Sequence, residues 1–188
     1  FRPKYVVMLG ICAGIPEKTN LGDVVVGDPT WDYGSGKRSL DENSSPVFLS
    51  APYQMALKAQ VSQLALELGR DPDVLKKIRT GWDGDAPAGR LTVHVGPMAS
   101  GASVIADDAE SRKIGLQHRE VLAIEMEAYA VMAATEYCSG RDTSAIAIKS
   151  VCDYADAKKS DSWQAYASYT SAAFADQLFR SEFFDLGR

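Results

Sequence analysis

Ile148-Lys149-Ser150-Val151-Cys152-Asp153-Tyr154-Ala155-Asp156 is the stretch whose reading decides the fold. An apolar run that starts near Ser144 ends abruptly in an acid, and polar residues follow at once. That is how a buried strand delivers a carboxylate to a sheet edge. In open α/β sheets, ligands bind beyond the carboxyl ends of the strands. Upstream, Ala123-Ile124-Glu125-Met126-Glu127-Ala128 repeats the pattern after the apolar Val121 to Ile124. Two strand ends carrying acids point to a small-molecule enzyme site.

The rest of the chain supplies the alternation that such a sheet needs. Lys4 to Leu9 reads as a buried strand, and Gly10-Ile11-Cys12-Ala13-Gly14 as a small-residue turn after it. Val24-Val25-Val26 reads as a second strand, and Gly27 to Pro46 as a long polar loop or hairpin. Met55, Leu57, Val61, Leu64 and Leu68 recur at helical spacing between Ala51 and Leu68, with Gly69 as the stop. Leu91 to Met98 resembles a strand, Asp107 to Gln117 a short helix, and Ala128 to Tyr137 a helix ending near Gly140. Ser144 to Val151 is the next strand. Ser160 to Phe179 closes the chain as a helix with Ser160 or Asp161 at its N-cap. Strands alternating with helices predict an α/β fold with a parallel or mixed sheet. With no repeat or linker in the sequence, 1–188 is expected to be one domain.

Composition narrows the function classes. The 188 residues are 46% hydrophobic and 24% charged, with a net charge of -5, values of an ordinary globular chain. No basic run argues for nucleic acid or an anionic membrane. No apolar stretch is long enough to span a bilayer. Cys12, Cys138 and Cys152 are odd in number and lack metal-ligand spacing, and His94 and His118 are far apart. Reduced thiols in a cytoplasmic protein, with neither metal nor cofactor, are the expectation.

Five segments, in order, resemble the nucleoside phosphorylase/nucleosidase superfamily. They are Gly10 to Gly14, Leu21-Gly22-Asp23-Val24-Val25-Val26, Ser100-Gly101-Ala102-Ser103-Val104-Ile105, Ile124-Glu125-Met126-Glu127-Ala128 and Val151-Cys152-Asp153-Tyr154-Ala155-Asp156. Within the superfamily the chain most resembles methylthioadenosine/S-adenosylhomocysteine nucleosidases and nucleosidase-like domains of multidomain signalling proteins. The resemblance implies a three-layer α/β/α sandwich around a mixed, partly barrel-like sheet. It implies cleavage of a nucleoside N-glycosidic bond, by water in nucleosidases and by phosphate in phosphorylases. It also implies homo-oligomers, from dimers to hexamers.

Carried over residue by residue, the resemblance makes Asp153 the acid that protonates the purine at N7. Read from its residue type alone, Asp153 could equally cap a helix or pair on the surface. Glu127 matches the glutamate that accepts from the ribose 2′- and 3′-hydroxyls, with Glu125 beside it. A carboxylate has the acceptor capacity for a vicinal diol. The other reading is two solvated acids at a helix start, where the helix dipole favours them. Met126 matches a residue packing on the ribose, and Val104 and Ile105 the segment holding the base. Trp163 stands where nucleosidases often place a covering aromatic. Cys152 replaces a frequent serine. Gly10, Ile11, Cys12, Ala13 and Gly14 match the nucleophile or anion loop. Phosphorylases tend to carry Arg and Ser where this chain has Met8 and Ile11, which favours water.

The family normally has a strand before the segment where this chain begins, and that region supplies the glutamate that activates water. The chain is expected to lack it, and neither Glu17 nor Asp23 matches that role. Two alternatives to a purine nucleosidase therefore stand: a purine nucleoside phosphorylase, and a non-catalytic nucleoside- or nucleotide-binding module of a larger signalling protein.

Overall fold

A computed structural model describes residues 3–138, 143–156 and 161–181. The order of elements is β1 (Tyr5–Gly14), β2 (Val24–Asp32), β3 (Gly36–Leu40), β4 (Pro46–Ser50), β5 (Gln54–Met55), α1 (Ala59–Arg70), α2 (Pro72–Thr80), β6 (Val93–Ser100), α3 (Asp108–Gln117), β7 (Ala123–Glu125), α4 (Ala128–Cys138), β8 (Ser144–Asp153) and α5 (Gln164–Phe179). A 3₁₀ turn, Asp161–Trp163, leads into α5.

β8 is the spine of the sheet, and all ten of its residues are buried. It runs parallel to β1, from Tyr5↔Ser144 to Ala13↔Asp153, and antiparallel to β2 at Val24↔Ser150. β2 continues parallel to β6, β6 parallel to β7, and β7 antiparallel to β1 at Ala13↔Ile124. The pairings close a mixed, barrel-like ring, with β5 added outside β2. β3 and β4 form a separate antiparallel hairpin.

The continuous apolar run of β8 follows from burial on both faces. Successive strand residues point to opposite sides. Ile146 and Ile148, with Val24 and Val26, pack against Val61 and Ala65 of α1, Ile78 of α2, and Phe174 and Leu178 of α5. On the opposite face, Ala145 packs against Met132 of α4. α5 buries Tyr166, Ala167, Thr170, Ser171, Phe174, Ala175 and Leu178, one face at helical spacing. Phe174 is fully buried, so Phe174→Ala would cost about 3–5 kcal/mol.

Several local expectations change. Gly10 to Gly14 is not a turn: it is the carboxyl half of β1, kept in the sheet by its pairing with β8 and, at Ala13 and Gly14, with β7. β2 likewise runs on to Asp32, with Trp31 fully buried, so only residues beyond it form the hairpin. α1 starts at Ala59 and contains Gly69, because Gln54–Met55 pairs as β5 instead. α2 follows at once, with the Asp71 carboxylate accepting from the Asp73 and Val74 N–H groups and Pro72 in the first turn. Asp161 begins the 3₁₀ turn and does not cap α5, whose N-cap is Trp163. Ser160 and Gly140 lie outside the described residues.

Candidate active site

The carboxyl ends of β7 and β8 and the adjoining length of β1 line one cavity of about 450 Å³. Asp153, the last residue of β8, is buried at 6% exposure. Its Oδ1 accepts from the Ala155 N–H at 2.8 Å, and the Cys152 thiol lies 3.3 Å from Oδ2. Ala155 sits at φ 55°, in the left-handed region. This costs a non-glycine residue about 1 kcal/mol or more, and the bond to Asp153 holds it there. Both Cys152 and Asp153 face the cavity although they are consecutive. The pairing with β1 shifts register at that point, from Cys12↔Val151 to Ala13↔Asp153. A bulge of this kind re-aims side chains at a strand end.

Glu125 ends β7 and is also buried. Its carboxylate accepts from the Glu127 N–H at 3.0 Å and from the Ala128 N–H at 2.9 Å. It therefore caps α4, whose first N–H groups would otherwise lack partners. Glu127 stands past the strand end, with its side chain half exposed. Between them lies Lys149, from the middle of β8. Its Nζ is 3.1 Å from Glu125 Oε2 and 2.8 Å from Glu127 Oε2. Burial pulls the Lys149 ammonium toward its neutral form, but the bond to Glu127 and the charge of Glu125 outweigh it. The net result is a pKa raised above the ordinary 10.5.

The β1 wall is of another kind. Met8, Leu9, Gly10, Ile11, Cys12 and Ala13 line the cavity, whereas Gly14 is not among its lining residues. A Cβ at Gly10 would come within 3.4 Å of Lys149 Nζ, and one at Gly14 would run into Thr19 and Val151. Cys12 is buried, and burial above all, then Cys152 and Glu125 nearby, pushes its thiol well above the usual range. Ser103, Val104 and Ile105 form the third side, with Val104 exposed. The Tyr33 hydroxyl donates to the Ser103 carbonyl at 3.2 Å, and the Tyr33 ring lies over Gly101, where no Cβ would fit. Met126, also exposed, lines the cavity, as does Gln164. Trp163, one residue earlier, does not.

Sequence reasoning thus missed Lys149, Ser103 and Gln164. Asp23, by contrast, is fully buried and structural: its carboxylate accepts from the Asn20 and Thr92 N–H groups and contacts His94 Nε2 at 3.0 Å. Among the described residues there is no group of three or more His, Cys, Asp or Glu that could hold a metal ion. No helix among them is long and apolar enough to cross a membrane.

A profile of the phosphorylase superfamily matches residues 1–180. The chain belongs to the phosphorylase superfamily. It is 39% identical over 175 residues to the uncharacterized protein y4jS of Sinorhizobium fredii, a match covering 93% of this chain and 42% of that one. It is 28% identical over 192 residues to the ATP nucleosidase Cap17 of Escherichia coli, covering 95% of this chain and 36% of the relative. The chain thus spans less than half the length of these curated relatives. Among solved structures, the 5′-methylthioadenosine/S-adenosylhomocysteine nucleosidase of Streptococcus pneumoniae, with a transition-state inhibitor, superposes with a TM-score of 0.68 at 18% identity. That match covers 94% of this chain and 69% of the other. The likeness establishes the α/β fold around a mixed, barrel-like sheet.

Proposed function

We propose that this superfamily member is a purine nucleosidase, hydrolysing the N-glycosidic bond of adenine nucleosides such as methylthioadenosine or adenosylhomocysteine. The observation that carries the reading is the single cavity in which the buried Asp153 carboxyl and Glu127 come together. The nucleosidase names of its relatives agree with it.

Cleavage builds positive charge on the sugar and negative charge on the departing base, as in other oxocarbenium-like glycoside reactions. Asp153, in its protonated form, donates to purine N7 as the C1′–N9 bond breaks and its electron pair moves onto the base. The contacts from Ala155 and Cys152 orient the carboxyl. Glu127 accepts from the 2′- and 3′-hydroxyls, and Met126 packs on the sugar. Val104, Ile105 and Ser103 hold the base. Water adds its oxygen to C1′, its proton passes to solvent, from which Asp153 is reprotonated, and the products are free sugar and purine. That water approaches along the β1 wall, which lines the same cavity. Water is favoured over phosphate because Met8 and Ile11 present apolar side chains, and the ammonium of Lys149 already pairs with two carboxylates.

The test is base release from a panel of adenine nucleosides, with and without added phosphate. Phosphate-independent release with free sugar as product is expected. An absolute phosphate requirement with a sugar 1-phosphate product would overturn hydrolysis.

A further inference from the structure

We propose that Lys149 is a positioning residue for the sugar: from an anchor on Glu125 it fixes the direction of Glu127, so that the Glu127 carboxylate meets the vicinal diol. The inference rests on the nucleosidase reading.

The three charged groups differ in freedom. Glu125 cannot move, since its side chain is 1% exposed and it already bonds the Glu127 and Ala128 N–H groups. Lys149 cannot move either, since its side chain is 3% exposed and its strand is buried throughout. Glu127 is the mobile member, half exposed at the mouth of α4. Left alone, an exposed glutamate loses side-chain entropy when held in one rotamer. The buried ammonium offsets that cost with a charge-assisted bond of 2.8 Å. The bond engages Glu127 Oε2 and leaves Oε1 for another donor, so the carboxylate is aimed without being consumed.

The charge balance fits the same role. Two carboxylates and one ammonium leave a net charge of about -1 beside the carbon where positive charge develops, which favours the transition state. Removing the ammonium would leave two adjacent carboxylates without a counter-charge, and Glu127 is the one able to swing toward solvent. Lys149 does not act as a base, because its ammonium stays protonated at neutral pH. Gly10 adjoins the same group: a Cβ there would sit in van der Waals contact with Nζ, at 3.4 Å.

The experiment compares binding of adenosine and 2′,3′-dideoxyadenosine by calorimetry in wild type, Lys149→Met and Lys149→Arg, with thermal unfolding followed for each. Wild type is expected to prefer adenosine. Lys149→Met should weaken adenosine about 10–100-fold, the range for a charged hydrogen bond, and leave the dideoxy analogue within about twofold of wild type, a differential loss. Lys149→Arg should restore adenosine binding to within a few-fold. In steady state, Lys149→Met should raise KM and lower turnover together, the pattern expected of Glu127→Gln. Equal weakening of both ligands would make Lys149 merely structural, and an unchanged preference would remove it from the site; either result overturns the proposal. Should Lys149→Met fail to fold, Lys149→Gln carries the same comparison. A wild type that binds neither ligand and releases no base sinks the nucleosidase reading itself, a result distinct from the loss of Lys149's role.

Discussion

The two long walls of the cavity are built by opposite means. On the β7/β8 side, Lys149 joins Glu125 and Glu127 by ion pairs, and backbone N–H groups hold the Glu125 and Asp153 carboxyls. On the β1 side, Met8 to Ala13 offer small or apolar side chains, and the one ionisable group, Cys12, is held as a neutral thiol. The first wall carries the charged groups of the cavity. The second carries no charge. A reaction that separates charge between sugar and base needs both: donors and acceptors already in place, and an uncharged face along which a neutral nucleophile can approach.

The contrast can be broken at either wall. Asp153→Asn should lower turnover about 10²–10⁴-fold, the range for losing a general acid, while nucleoside affinity changes by less than about threefold. Steady-state kinetics beside calorimetry checks this, and wild-type turnover in the variant would dismiss the charged wall as the catalytic one. Next in size, Glu127→Gln should weaken nucleoside binding and turnover together, by about 10–100-fold. A loss confined to kcat would argue against a sugar contact. Where β1 leaves the cavity lining, Gly14→Ala should act on stability, because its Cβ meets Thr19 and Val151. Overpacking of this kind costs about 1–3 kcal/mol, measurable by urea unfolding, and an unchanged midpoint would mean that the packing behind the β1 wall has slack.

The smallest effects are in titration. The pKa of Lys149 is raised on folding, so the stability it contributes is complete below the unfolded value near 10.5. That stability is lost as pH rises through the higher folded value. Wild type should therefore destabilise above about pH 10.5 by more than Lys149→Met does, and parallel stability curves would contradict the ion pairs. Cys12 should resist iodoacetamide at pH 8 in the folded protein and react on unfolding. Prompt labelling would show that this wall carries reactive charge after all.

The charged wall was largely legible in the sequence, and the uncharged one was not. β8 announces itself because burial on both faces demands an unbroken apolar run, and its terminal acid marks the sheet edge. Glu125 and Glu127 were visible for the same reason. Neither is simply a solvated acid at a helix start: Glu125 caps α4 but is buried, and Glu127 stands half exposed beside the cavity. Lys149 stood in the decisive stretch and gained no role there, because its partner Glu127 lies 22 residues earlier and only the sheet brings them together. Gly10 to Gly14 read as a turn because glycine is a local breaker. The pairing with β8 that keeps it in the sheet is non-local. Trp31 was hidden likewise, part of a long polar loop or hairpin by composition and a core residue by the continuation of β2. The Asp71-Pro72 cap of α2 was a local signal that went unread.

The central claim is that Asp153 protonates the departing base, and leaving-group dependence tests it most directly. Wild type and Asp153→Asn would be assayed on adenosine and on p-nitrophenyl riboside, whose phenolate departs without a proton. The account predicts that Asp153→Asn loses adenosine hydrolysis by at least about 10²-fold and keeps release of p-nitrophenolate within a few-fold of wild type. Equal losses on both substrates, or none on either, would contradict it.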